Sequence, residues 1–162
     1  MSSADLNDTH HNILKRTEGY NYHTFFPIVG KQDEKTIKLK FKVLAESDAH
    51  LLLSPCKHPD IGSPVYEIVL GARNNTYSTI RQCQQGDDEA TTDSEESLVS
   101  PDDWRKFWIK IKKNKIKIGR NGKKAFLKWK DSKCMPINYF SVSSYNGAVA
   151  LWILPCFKNK DS

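Results

Sequence analysis

The sequence predicts an all-β domain, an antiparallel β-sandwich of jelly-roll type with a disordered N-terminal arm. Three observations predict it. Short stretches alternate apolar and polar residues with a period of two. Gly, Pro, Asn and Asp turn signals separate these stretches. No long stretch carries a helical period, and there is no internal repeat. A chain of 162 residues holds one domain, because either half alone would be short of core. That domain is expected over residues 19–157, after a flexible arm over residues 1–18.

The arm is rich in Ser, Asp, Asn and His, and its His10-His11 pair reads as solvated. From Tyr20 onward the chain reads as β-structure. Thr36 to Leu44 sets Ile37, Leu39, Phe41 and Val43 against Lys38, Lys40 and Lys42, the pattern of a half-buried strand. Ala49 to Leu53 is a short apolar run and the next strand. Pro55, Pro59, Gly62 and Pro64 mark a loop. Val65 to Leu70 reads as a buried strand closed by Gly71. Asn74-Asn75 reads as a turn, and Thr76 to Gln82 as a strand of β-formers. Residues 84–100 read as an acidic loop. Ser100-Pro101-Asp102-Asp103 is suited to capping one helical turn ahead of Trp104. Phe107, Ile109 and Ile111 share one parity, and Ile116 and Ile118 the other, so a turn or bulge belongs near Lys113-Asn114. Asn121-Gly122 is a second hairpin turn. Phe126 to Lys130 completes a three-strand meander. Tyr139 to Ser143 and Ala148 to Leu154 flank the turn Tyr145-Asn146-Gly147. The sum is about eight strands, which fits a sandwich.

Charge is segregated along the chain. Between Arg105 and Lys133 stand 13 basic residues and one acid, Asp131, a net charge of +12. The other 12 basic and 18 acidic residues leave −6, for +6 in all. Asp87, Asp88, Glu89, Asp93, Glu95 and Glu96 form an acidic run with no base among them. The lysines admit three readings: a solvated face, a face neutralised by the acidic run, or an attractor for phosphate, sulfate or an acidic protein. With the isoleucines inward, Lys106, Trp108, Lys110, Lys112, Lys115 and Lys117 share the outer face. These residues and Arg120 are the anion-binding candidates. Trp108 either stacks on a sugar or base or packs against a neighbouring loop. Trp129 and Trp152 read as core.

Several function classes lack their signatures. No apolar run approaches the roughly 20 residues of a membrane-spanning helix. No dinucleotide-binding glycine pattern, P-loop or nucleophile elbow is present. Met1 to Asn12 has no apolar core of a secretory signal, which sets the expectation of an intracellular protein. Cys56, Cys83, Cys134 and Cys156 form no C-x-x-C and are expected as thiols. Cys56-x-His58 lacks the second ligand pair that zinc needs, so no metal is expected.

Three polar residues stand out as further ligand-site candidates. His50 lies at a strand entrance, where a hydrogen-bonded structural role competes with a functional one. Glu67 lies inside the apolar run Tyr66 to Leu70. A carboxylate there must reach solvent or be paired, so it is either bridged to Arg73 or Arg81 or left to contact a ligand. Arg81 is the third candidate. No set of partners around them marks a catalytic residue.

The order of segments resembles the farnesoic acid O-methyltransferase-like domain family. The resemblance rests on Phe41-Lys42-Val43-Leu44-Ala45, Asp48-Ala49-His50-Leu51 and Tyr66-Glu67-Ile68-Val69-Leu70-Gly71 with Asn74 and Asn75. It continues through Ser78-Thr79-Ile80-Arg81, Phe107-Trp108-Ile109, Ile116-Lys117-Ile118-Gly119-Arg120 and Phe126-Leu127-Lys128-Trp129, and closes with Tyr139 to Ser144 and Trp152. The family name implies S-adenosylmethionine as cofactor and farnesoic acid as substrate. The residues themselves point to a binding module without cofactor. Its expected partner is an anionic one: nucleic acid, acidic glycan or an acidic protein surface.

Overall fold

In the computed structural model, residues 12–29, 36–93 and 97–157 are described. Their strands are β1 (Ile13–Glu18), β2 (Phe26–Pro27), β3 (Thr36–Ala45), β4 (Ala49–Ser54), β5 (Tyr66–Gly71), β6 (Tyr77–Arg81), β7 (Asp88–Asp93), β8 (Arg105–Lys112), β9 (Lys115–Arg120), β10 (Ala125–Lys130), β11 (Tyr139–Ser143) and β12 (Val149–Leu154). They form two six-stranded antiparallel sheets. Sheet A runs β1-β12-β3-β8-β9-β10, and sheet B runs β2-β11-β4-β5-β6-β7. Among the described residues, no helix is long and apolar enough to cross a membrane.

Alternation builds the core. Leu39, Phe41 and Val43 of β3 point inward with Phe107, Ile109 and Ile111 of β8 and with Ile116 and Ile118 of β9. Sheet B answers with Leu51, Leu53, Tyr66, Ile68, Leu70, Phe140 and Val142. Trp152 is fully buried, and its indole N–H donates to Thr17 Oγ1 at 2.9 Å. Trp129 is half-buried, edge-on to Tyr66. β4 and β5 are buried on both faces. Sheet A covers their inner face. The segment 19–25 straps across the outer one, with Tyr22 packed on Leu52 and Val65.

The meander forms as its sequence predicts. Lys113 takes a positive φ of 57° in the two-residue β8–β9 turn. Gly122 takes φ 75° in the β9–β10 turn, which the Lys123 N–H closes onto the Arg120 carbonyl at 2.9 Å.

Three expectations need correction. The flexible arm does not extend to residue 18, because Ile13–Glu18 is a strand paired to β12. Its signal is weak because Leu14, Arg16 and Glu18 face solvent. What holds it is backbone pairing and the Thr17–Trp152 hydrogen bond. His10 and His11 lie outside the described residues. The span 84–100 is not all loop, because Asp88–Asp93 pairs with β6. Ala90 is its one apolar residue and packs against the core, so no apolar alternation betrays the strand; Glu95 and Glu96 lie outside the described residues. Ser100 Oγ accepts the N–H groups of Asp102 and Asp103, as a cap would, but a bend follows instead of a helical turn.

Gly119 lies opposite Trp108, and a Cβ there would sit 2.5 Å from the indole ring. The substitution Gly119→Ala should therefore lower stability by about 1–3 kcal/mol, read from the midpoint of urea unfolding.

Candidate functional site

The two outer faces of the sandwich carry different chemistry. On sheet A the register lines lysines up across strands. Lys38 pairs with Lys110, Lys110 with Lys117, and Lys117 with Lys128. A second row joins Lys112, Lys115 and Lys130, and Lys42 stands opposite Lys106. Adjacent strands lie about 4.8 Å apart and alternate residues about 7 Å apart along a strand, so the ammonium groups form a dense grid. Directly opposed like charges destabilise a sheet. Asp131, the one acid of the basic segment, is turned inward: it is buried and accepts from Tyr66 Oη at 2.7 Å and Gln82 Nε2 at 3.3 Å. The acidic residues Asp88–Asp93 belong to sheet B. Among the described residues, no ion pair joins them to the grid.

Of the anion-binding candidates, Lys106, Lys110, Lys112, Lys115 and Lys117 lie together on this face. Sequence reasoning missed Lys38, Lys40, Lys42, Lys128 and Lys130 as members. Their alternation was visible, but the β3–β8 and β9–β10 registers were not. Trp108 shares the face and lies flat over Gly119, its N–H donating to the carbonyls of Arg120 and Lys123 at 3.0 and 3.1 Å. Arg120 is set apart. It stands opposite the buried Phe107 and lines a cleft at the sandwich edge with Asp93, Lys123 and Lys124.

Sheet B gathers the other three candidates. Glu67, in the centre of the sheet, has no exposed surface. One carboxylate oxygen accepts from Tyr20 Oη at 2.5 Å and Tyr22 Oη at 2.7 Å. The other accepts from the Gln85 N–H at 2.8 Å and Arg81 Nη1 at 3.4 Å. Between the two bridges the sequence left open, the structure forms that to Arg81. Arg73 instead lies over the Tyr77 ring, 4.2 Å from its centroid. Arg81 Nε also donates to Asp88 Oδ1 at 3.1 Å, and Asp88 accepts from Tyr77 and Thr79 as well. Burial raises the Asp88 pKa, but the hydrogen bonds from Tyr77, Arg81 and Thr79 outweigh it and hold the carboxyl below its usual range. Burial and the bond to Glu67 push the phenols of Tyr20 and Tyr22 upward.

His50 is 3% exposed. Its Nδ1 lies 3.1 Å from the Asp48 carbonyl, an acceptor, so that nitrogen carries the proton. Its ring stacks on Tyr145 and meets the edge of Tyr20. Burial lowers its pKa against the opposing influence of Glu67 and Asp48. His50, Arg73, Tyr77, Arg81, Gln85 and Tyr145 line a cleft of about 240 Å³. Tyr20, Tyr22 and Tyr145 were not singled out in the sequence, because nothing local links the strap to β5.

The sequence profile of the farnesoic acid O-methyl transferase family matches residues 17–158. The chain belongs to that family. No curated protein sequence matches it significantly. Among solved structures, a Bacillus subtilis protein of unknown function with a galectin-like fold aligns over 94% of this chain and 90% of its own, at TM-score 0.57 and 12% identity. A Caenorhabditis elegans galectin aligns over 88% of this chain and 96% of its own, at TM-score 0.53 and 9% identity. An endo-acting O-glycanase of the human gut microbiota, described as initiating mucin breakdown, aligns over 91% and 80%, at TM-score 0.53 and 11% identity. At such identities the likeness concerns the fold, a galectin-like β-sandwich. That fold lends the methyl-transfer reading in the family name no support, since both sheets are antiparallel and a doubly wound sheet with a glycine-rich turn is not its architecture.

The lowered His50 pKa makes stability depend on pH. The unfolded chain takes up the His50 proton near pH 6.5, and the folded chain only at lower pH. Stability is therefore fully present above about pH 6.5 and declines as pH falls through the folded pKa. Thermal unfolding should show a lower Tm at pH 5.5 than at pH 7.5, and His50→Gln should shrink that difference.

Proposed function

We propose that this protein is a non-catalytic recognition module for an acidic glycan, bound across the lysine grid of sheet A. The cross-strand alignment of Lys38, Lys110, Lys117 and Lys128 carries the reading. Four ammonium groups in one row repel one another, and a chain of sulfates or carboxylates relieves that repulsion while displacing its own counterions. The second row, Lys112, Lys115 and Lys130, extends the contact along the strands. Trp108 adds a planar surface beside the rows. Its N–H is already bonded and its ring is held against Gly119, so it costs little side-chain entropy to present.

The fold supports a glycan over other polyanions. The neighbours include galectins and an O-glycanase described as acting on mucin. The acidic partner is this chain's own requirement, set by its charge. Recognition of this kind needs no nucleophile, acid–base pair or cofactor. It needs exposed cations on a rigid frame, which the β3-β8-β9-β10 part of sheet A provides.

The triple substitution Lys110→Glu, Lys117→Glu and Lys128→Glu should weaken binding to heparin at least about tenfold, with the wild-type affinity itself falling steeply with added salt. The Tm of the variant should change little, because Lys38 then faces a carboxylate while Glu replaces Lys on both sides of the 110–117 and 117–128 pairs, which stay like-charged. Isothermal titration with a heparin oligosaccharide checks both the loss and the salt slope. Undiminished affinity in the variant removes this face from the reading. Tighter binding of a single-stranded oligonucleotide than of heparin transfers it to nucleic acid.

A further inference from the structure

We propose that the cleft on the outer face of sheet B is a second ligand site, which takes one uncharged, hydroxyl-rich sugar ring. The ligand class is akin to that proposed for the lysine grid, but the site shares no residue with it and lies on the opposite sheet.

Size comes first. At about 240 Å³ the cleft falls below the roughly 300–1,000 Å³ of sites for drug-sized ligands, so one small ring fits and an extended chain does not. Its polar atoms then define the ligand. His50 donates through Nδ1 to the Asp48 carbonyl, which leaves Nε2 a bare acceptor. Arg81 commits Nε and Nη1 to Asp88 and Glu67; among the described residues, Nη2 has no partner. Arg73 brings further donors, and the Gln85 amide brings both a donor and an acceptor. A hydroxyl group donates and accepts at once, so a polyol satisfies such a mixed set. An isoprenoid chain would leave these atoms unpaired.

Charge points away from an anion. Arg73 and Arg81 are matched by Asp48, Glu67 and Asp88, and Arg81 is already shared between the last two. No excess positive charge remains to attract a sulfate or carboxylate. Tyr145 supplies the apolar contact. It is 39% exposed, with one face stacked on His50 at 23° and 5.8 Å between centroids, and an aromatic ring gives a rigid platform for the C–H face of a sugar.

The walls are built in advance. Arg73, Asn74 and Asn75 run consecutively through left-handed backbone, with φ of 49°, 58° and 66°. Left-handed backbone at residues other than glycine is costly and persists only where the surroundings enforce it. Here Asn75 Oδ1 accepts the N–H groups of Leu98 and Val99, its Nδ2 donates to the Val99 carbonyl, and Thr76 Oγ1 donates to the Arg73 carbonyl. The enforced turn sets Arg73 over Tyr77 at the cleft. Backbone strain held in this way is typical of ligand-binding positions.

The test is an amide chemical-shift titration of the full chain with glucose, galactose, mannose and N-acetylglucosamine. Each is taken to about 50 mM, where millimolar binding is visible, in about 0.5 M salt to screen the lysine face. At least one sugar should shift the amides of Asp48, His50, Arg73, Gln85 and Tyr145. Arg73→Ala and Tyr145→Ala should each weaken that binding at least about tenfold, while the triple lysine variant retains it. Both substituted side chains reach solvent, and the unchanged amide spectrum elsewhere confirms the fold. Silence from all four sugars overturns the proposal. So does binding that survives both substitutions, or displacement of the sugar by farnesoic acid. Failure of the wild-type chain to bind heparin with this titration intact would sink only the lysine-grid reading, and the converse only this one.

Discussion

A carboxylate with no exposed surface, Glu67, sits at the centre of sheet B, and much of that half of the molecule is arranged around it. A buried charge costs several kcal/mol unless it is paired and hydrogen-bonded. Glu67 meets the condition with four donors drawn from three places: Tyr20 and Tyr22 on the strap, Arg81 on β6, and the backbone of Gln85. The strap must therefore cross the sheet at this point. Arg81 must stand beside Glu67, and its second bond, to Asp88, anchors the start of β7. The same bonds set Arg81 in the wall of the cleft and place Tyr20 against His50, which lines it.

The rest of the charge is sorted by sheet. Two acids that could neutralise the lysines are occupied elsewhere: Asp131 with Tyr66 and Gln82, Asp88 with Arg81. What remains on sheet A is a lysine grid without acids among its opposed pairs. Opposed like charges destabilise the pair by a few tenths of a kcal/mol or more, and a core of large apolar side chains on the inner face carries that load. Glycine at 119 contributes in another way, letting Trp108 lie flat on β9, which keeps a large aromatic on a charged face without exposing both of its sides.

Much of this was legible in the sequence, and the boundary between legible and hidden is physical. Strands with one buried face announce themselves by alternation, as Thr36–Ala45 and Arg105–Lys112 do. Turns that require positive φ announce themselves by Asn-Gly. Glu67 stands out because a carboxylate in an apolar strand needs an explanation, and Arg81 is one of the two partners the sequence offers it. Two edge strands, β1 and β7, stayed hidden. β1 and β7 hold their places by backbone pairing and a few polar contacts, and neither leaves an apolar period. Non-local partners stayed hidden too: nothing near Tyr20 or Tyr22 says that both reach a carboxylate more than forty residues away. Lys38 and Lys128 could be seen as exposed, but their membership in one row follows only from pairings that join distant strands.

The two faces differ in how their parts depend on one another. The grid is a set of separate side chains on a stable frame, each reaching solvent from its own strand. Removing one leaves the frame and the other side chains where they are, so effects on a charged partner should add nearly independently for lysines more than about 7–10 Å apart, and less so for directly opposed pairs, which repel. The cleft is a network. Arg81 serves Glu67 and Asp88, Glu67 holds Tyr20 and Tyr22, and Tyr20 meets His50, which stacks on Tyr145. A change at any member moves its neighbours, and coupling among contacting polar groups of this kind reaches about 0.5–3 kcal/mol. The grid can therefore gain or lose a lysine with a graded effect on the affinity of the face. The cleft has to change in concert, which makes its fully satisfied network a feature of specificity and the grid a feature of strength.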